Sequence, residues 1–275
     1  MQPLTYSWRA GEDGHELRLV PVPGTSGKPY LFGADPNRMP IEVRDYHISR
    51  TPVTQALWTH VMGGGSNPVK QPAPRHPVWN VSWHHIAGPD GFLARINASE
   101  ILTAAAGADR TLRFRLPTET EWEYAARGGP HWRDDFAFSG SNDIDAVAWY
   151  GNRWRGGRLK WEVMKHLKAW RLFNWQNRGD RSRTHDVATK ASNQLGLYDM
   201  SGNVWEWCED TCDEERPAVP PPNDGTPLLD AGTSRRLRGG CHHNWDIHCT
   251  VWWRYGITPD AHDGCIGFRL VLAPA

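Results

Sequence analysis

Apolar and polar residues alternate with a period of two in HELRLVPVP (15–23) and IEVRDYHIS (41–49), and both stretches are expected to be short strands. In TPVTQALWTHVMG (51–63) the apolar spacing becomes that of a helix, with Thr51 or Thr54 as cap and Gly63 as terminator. VSWHHIAGPDGFLARINAS (81–99) is helical at both ends and interrupted by Pro89 and Gly91. The clearest helix start lies in RFRLPTETEWEYAARGG (113–129): Pro117 precedes it, Thr118 and Glu121 form a capping box, and Gly128 closes it. LGLYDMSGNVWEWCED (195–210) turns at Ser201-Gly202-Asn203 and enters an aromatic strand, on which Trp205 and Trp207 share one face and read as core. PAVPPPNDGTP (217–227) is a loop. SRRLRGG (234–240) and IGFRLVL (266–272) predict two more strands. KWEVMKHLKAWRLFNWQ (160–176) has room for one helix, within a Trp- and Arg-rich stretch (153–183) that reads as an insertion. Strands mixed with two or three helices, without βαβ alternation, make the fold class α+β.

Charge narrows the function. The 275 residues carry 31 Lys+Arg and 31 Asp+Glu, a formal net charge of zero, which argues against bulk binding to nucleic acid or an anionic membrane. No stretch approaches the roughly 20 apolar residues of a membrane span. The start, MQPLTYSWRAGEDGHE, lacks a basic and an apolar region, so no signal peptide and no membrane insertion are expected. Five cysteines, Cys208, Cys212, Cys241, Cys249 and Cys265, are an odd number and are expected as reduced thiols. Trp is the unusual residue: 16 of them, against 7 Tyr and 7 Phe. Trp buries a large area yet keeps an N–H that needs a partner, which suits both core and recognition. No Ser/His/Asp order, paired carboxylates or phosphate-cradling loop stands out; the GGG at 63–65 lacks the following Lys.

RLPTETEWEYAARGG, LGLYDMSGNVWEWCED, RRLRGG and IGFRLVL, in that order, resemble the signatures of the formylglycine-generating-enzyme (sulfatase-modifying factor) domain, a variant of the C-type lectin fold. ISRTPVTQALW and HPVWNVSW fit its amino-terminal half. The resemblance covers roughly residues 15–272, which implies one domain over 1–275 with the insertion at 153–183. In the enzymes, two cysteines after the RGG motif bind copper and oxidise a substrate cysteine. Cys249 falls where the second would be; the first falls near Asn244, which supplies no thiolate. FAFSGSNDIDAVAWYGN and THDVATKASNQLGLYDMSGNVWEWC are similar instead to a non-enzymatic branch, the variable proteins of diversity-generating retroelements. There a carboxyl-terminal segment framed by RGG and IGFRL is rewritten at template adenines, mainly in Asn codons.

That frame here encloses 241–265, with Cys249, Arg254 and Thr258-Pro259-Asp260 at framework positions. The resemblance implies a binding surface built from His242, His243, Asn244, Trp245, Asp246, His248, Trp252, Trp253, Tyr255, Ile257, Ala261, His262, Asp263, Gly264 and Cys265. Its ligand would be a protein or glycan on a cell surface. Adenine changes cannot turn an Asn codon into a Trp codon, so Trp245, Trp252 and Trp253 are either from other codons or fixed. A diversified segment needs a scaffold indifferent to its side chains, which surface loops provide. His242, His243, His248 and Cys249 are also donors of the kind zinc takes. No cofactor is required; the resemblance adds a structural calcium held by Asp199, Gly202, Val204 and Glu206, whose oxygens suit the ion. The expected location is the cytoplasm or a phage particle.

Overall fold

A computed structural model describes residues 1–152, 183–213 and 219–274, apart from Gly11 and Gln71. The 153–183 insertion thus lies outside the described residues, except Arg183. Two sheets and a set of short helices make up the rest. β1 (Leu4–Ala10) and β2 (Asp13–Val22) form a hairpin with Leu4 opposite Leu19. A small pair, β3 (Tyr30–Phe32) with β4 (Met39–Ile41), leads into β5 (Tyr46–Ser49). With β6 (Leu112–Arg115) and the terminal β11 (Val271–Pro274) the first sheet reads β1-β2-β5-β11-β6. The second reads β10-β7-β8-β9, where β7 is Trp205–Cys212, β8 Ser234–Arg238, β9 Tyr255–Ile257 and β10 Ile266–Gly267. Only β10 and β7 run parallel in it.

The helices start where the sequence says they should. Thr54 caps α1 (Gln55–Met62) by accepting from the Leu57 amide at 3.2 Å, and Gly63 ends it at φ 94°. Pro89 and Gly91 separate α2 (Trp83–Ala87) from α3 (Phe92–Asn97). α4 (Glu100–Ala106), in the ILTAAAG stretch, and the strand β1 carry no expectation from sequence. α5 (Glu119–Ala126) has the predicted capping box: the Glu121 amide donates to Thr118 Oγ1 at 3.2 Å, and the Thr118 amide to Glu121 Oε2 at 2.9 Å. α6 is a single turn, Ile144–Val147.

Two expected strands are each broken. IEVRDYHIS divides between β4 and β5, because Val43 in its middle exchanges hydrogen bonds with Thr25 at 2.9 and 3.1 Å. IGFRLVL divides between β10 in one sheet and β11 in the other. The crossing residue, Arg269, is fully buried and bonds both oxygens of Glu206, at 2.5 and 2.7 Å, plus the carbonyls of Ser49 and Tyr198, each at 3.0 Å. That set of acceptors exists only where the two sheets meet.

Charge is buried on an unusual scale around α5. Every residue of this helix is buried, including Glu119, Glu121 and Glu123. Glu123 pairs with Arg127 at 2.9 Å, with Arg238 of β8, and accepts from the Gly33 amide at 2.7 Å. Trp205 and Trp207 do share the core face of β7, and Trp207 Nε1 donates to the Val81 carbonyl at 2.9 Å. Glu206, on the other face, is equally buried and accepts from Trp122 Nε1 at 2.6 Å. Of the remaining motif tryptophans Trp58 and Trp122 are buried, whereas Trp79 and Trp83 are half-buried. Among the described residues no helix is long and apolar enough to cross a membrane.

Removing one partner of a buried pair strands the other charge. Arg269→Ala should therefore cost about 3–5 kcal/mol in urea unfolding. Glu16→Gln, which opens the exposed Arg18–Glu16 pair of 2.7 Å, should cost less than about 1 kcal/mol. Equal costs would contradict this division.

Candidate functional site

The RGG motif makes the turn that starts the segment. Gly239 and Gly240 hold φ values of 93° and 70°, and a Cβ on Gly240 would meet Cys249 Sγ and the His248 carbonyl at 2.7 Å. Asn244 then fixes the next turn: its Oδ1 accepts from the Cys241 amide at 3.0 Å while its own amide donates back to the Cys241 carbonyl at 3.0 Å. Trp245 lies parallel to His248 at 6.1 Å, and Trp253 meets that imidazole edge-on at 4.8 Å. Cys249 is buried against Ile144, Val147, Ala148 and Tyr150. Arg254 grips both oxygens of Glu119, at 2.7 and 2.6 Å. Burial pushes the Glu119 carboxyl up, but Arg254, Arg236 and Arg238 outweigh it and hold the pKa at about 2. Tyr255 and Ile257 belong to β9 on the sheet edge. Asp263 closes the segment by accepting from the Cys265 amide at 2.9 Å.

Exposure divides the expected contact residues and corrects the reading of the whole segment as surface. His242, Asn244, Trp245, His248 and Cys265 are buried, because they make the turns and ring stacks that shape the segment. His243, Asp246, Trp252, Trp253, Tyr255, Ile257 and Ala261 are half-buried. His262, Asp263 and Gly264 are exposed. Cys249 and Arg254, expected as framework, are respectively buried in a core cluster and ion-paired to α5.

The 258–264 loop lies along α2. The Trp83 amide donates to the Pro259 carbonyl at 3.0 Å, His262 Nδ1 is 3.1 Å from Asn80 Oδ1, and His84 Nε2 is 3.6 Å from Asp260. Exposed His84 and His85 and half-buried Trp79 and Asn80 thus extend the segment's surface. HPVWNVSW marks Trp79 and Asn80 only as scaffold, and the His84-His85 pair that follows it is the sequence signal for this surface.

The sulfatase-modifying factor enzyme 1-like domain family matches residues 20–274. The chain belongs to this family. Formylglycine-generating enzyme of Streptomyces coelicolor is 33% identical over 232 residues, which cover 79% of this chain and 58% of that protein. Chaperone protein LppX of Paenibacillus barcinonensis is 32% identical over 195 residues, covering 61% and 63% respectively. The chain therefore matches less than two thirds of the length of either relative. Among solved structures, Treponema denticola variable protein 1 superimposes with a TM-score of 0.68 at 28% identity, covering 99% of this chain and 100% of that one. The α+β architecture is accordingly the C-type-lectin-like one of this family.

The family's copper chemistry does not fit these residues. Asn244 stands at the first ligand position and its amide oxygen is spent on the Cys241 amide and thiol, both at 3.0 Å. At the second position, burial pushes the Cys249 thiol well above its usual pKa. The calcium set fits in part. Burial raises Asp199 to a pKa of about 6, against hydrogen bonds from the Ala188 amide at 2.9 Å and Asn203 Nδ2 at 3.2 Å. Arg269 bonds Glu206 directly and lowers the Asp199 pKa through its charge alone. Glu206 itself is committed to Arg269 and Trp122. The Gly202 carbonyl accepts from the Val204 amide at 2.9 Å.

Burial, with a smaller contribution from nearby His243, lowers the His248 pKa to about 4. An unfolded His near pH 6.5 binds the proton that the folded one refuses, so this contribution to stability is complete above 6.5 and fades as pH falls toward 4. His248→Phe keeps the ring stack and removes the proton site. Between about pH 7.5 and pH 5 the wild type should lose about 2 kcal/mol more stability than the variant in denaturant titrations. Parallel losses would show that His248 is not the sensor.

Proposed function

We propose that this chain is a non-enzymatic binding and display protein whose 241–265 segment is diversified by a retroelement. Its ligand is a protein or glycan of a cell surface. The observation that carries the reading is the split within the segment. The Gly151 and Trp205 amides, donating to the Asn244 and Cys265 carbonyls at 2.8 and 2.7 Å, and the Arg254–Glu119 pair tie it to the scaffold, while His262, Asp263 and Gly264 stand exposed beside half-buried Trp252, Trp253 and His243. Full-length similarity to Treponema denticola variable protein 1 supports it. Aromatic anchors among adaptable polar neighbours, held at both loop ends, suit recognition without a large ordering cost.

The competing reading is a copper-dependent oxidase like the formylglycine-generating relatives. Asn244 in place of the first cysteine speaks against it, since an amide oxygen is a poor donor to Cu(I). The domain is read as single, 153–183 as its insertion. For the calcium, Asp199 with the Gly202 and Val204 carbonyls forms the cradle we favour, Glu206 being held by Arg269.

Sibling copies should differ almost only within 241–265, and there at exposed and half-buried positions, with Asn244 and Arg254 constant. Sequencing the locus in several isolates reads this out; differences spread evenly along the chain would sink the proposal. In the protein, His262→Ala should change stability by less than about 0.5 kcal/mol. Asn244→Ala should cost about 1–3 kcal/mol, since it strands the buried Cys241 amide. Purified, reduced protein should take up no Cu(I) that Cys249→Ser abolishes.

A further inference from the structure

Three donors meet at the mouth of the segment. Cys241 Sγ and one ring nitrogen each of His242 and His243 all lie within 4.8 Å of one another. His243 Nδ1 and His242 Nε2 are 3.5 Å apart, with the rings edge-on at 85°. Two nitrogens on one tetrahedral zinc stand about 3.3 Å apart, given Zn–N bonds of roughly 2.0–2.1 Å. His242 Nδ1 is 2.9 Å from the Asn203 carbonyl. A carbonyl only accepts, so Nδ1 carries the proton and Nε2 turns its lone pair toward His243. Ligating histidines are commonly held by such a backbone hydrogen bond on the far nitrogen.

A fourth donor arrives from the far end of the segment. Cys265 shares the buried core cluster of Cys241, and its Sγ lies 3.1 Å from Asp263 Oδ1. Cys241, His242 and Cys265 are buried and His243 is half-buried, so the cluster is shielded on most sides. Exposed Asp263 and Gly264 leave a way in.

The geometry points to a zinc-class transition-metal site made by Cys241 Sγ, His242 Nε2 and His243 Nδ1; Cys265 lies outside this 4.8 Å triad and would have to move in to complete a Cys2His2 set. Mixed thiolate and imidazole donors select a borderline or soft metal over calcium or magnesium. Binding releases the thiol protons to solvent. The site adjoins the positions of the family's copper pair, Asn244 and Cys249 here, since the Cys241 thiol donates to Asn244 Oδ1 at 3.0 Å, but it takes no donor from either. With Cys265 drawn in, the metal would clip the two ends of the 241–265 loop together. Nothing in this inference depends on what the segment binds.

The test loads the reduced full chain with Zn²⁺ or Co²⁺, removes excess, and measures metal by mass spectrometry and Co²⁺ by absorption. One equivalent is expected, with a thiolate-to-cobalt charge-transfer band and tetrahedral visible bands. Cys241→Ser and His243→Ala should each weaken binding by more than about tenfold, and Cys249→Ser should bind like the wild type. Circular dichroism and melting in chelator establish that each variant is folded, and half-buried His243 is the variant least exposed to folding failure. Absence of stoichiometric metal overturns the site, as does uptake that survives both variants. Loss in Cys249→Ser would move the metal to the family's copper position. A Cys241–Cys265 disulfide in place of metal, read as two missing thiols, would equally overturn it.

Discussion

Glu119 on α5 sits within reach of three arginines: Arg254 at 2.6 Å, Arg236 at 3.5 Å and Arg238 at 3.7 Å. These arginines come from β8 and the carboxyl-terminal segment, so burying this charge brings both against the helix. Isolated, the carboxylate would cost many kcal/mol to desolvate, and any one arginine alone would leave the balance wrong. Glu123, one turn along the helix, takes Arg127 and shares Arg238. The network therefore ties α5, β8 and the carboxyl-terminal segment to one another. A hydrophobic core of the same size would hold these elements together, but it would tolerate sliding. Bidentate guanidinium–carboxylate pairs do not.

Much of this was legible in the sequence, and the reason is local. Capping residues act within one helical turn, so Thr54, Thr118, Glu121 and Gly63 announced their helices directly. The alternation of Trp205 and Trp207 likewise fixed a face. Long-range partners leave no such trace. Nothing in RFRLPTETEWEY says that Glu119 will meet Arg254, 135 residues later. A hint existed: a helix carrying Trp, Tyr and Ala around three glutamates has too few polar positions for a solvent face. The same limit explains the broken strands. Hydropathy sees IGFRLVL as one apolar run, because an arginine with a complete set of buried acceptors behaves there as a core residue.

The segment shows the limit in another form. Its edges were recognisable, yet its exposure was not, since His and Trp serve equally as contact residues and as packing. His248 illustrates this: between Trp245 and Trp253 it is filler, and burial keeps it neutral. The α2 surface was missed for the opposite reason. His84 and His85 directly follow a motif that declares a scaffold, and only the path of the 258–264 loop brings them beside Asp260 and His262.

The crossing at Arg269 has a consequence for how this chain can change. Residues 266–267 pair with β7 in one sheet and 271–274 with β5 and β6 in the other, and the residue between them must land on Glu206. Midway along the segment, Arg254 must land on Glu119. The segment is thus measured at fixed marks along its length, like a ruler pinned in two places. Side chains between the marks can be exchanged, but a gained or lost residue would carry an arginine out of its pocket. Such a frame permits variation in letters and forbids variation in length.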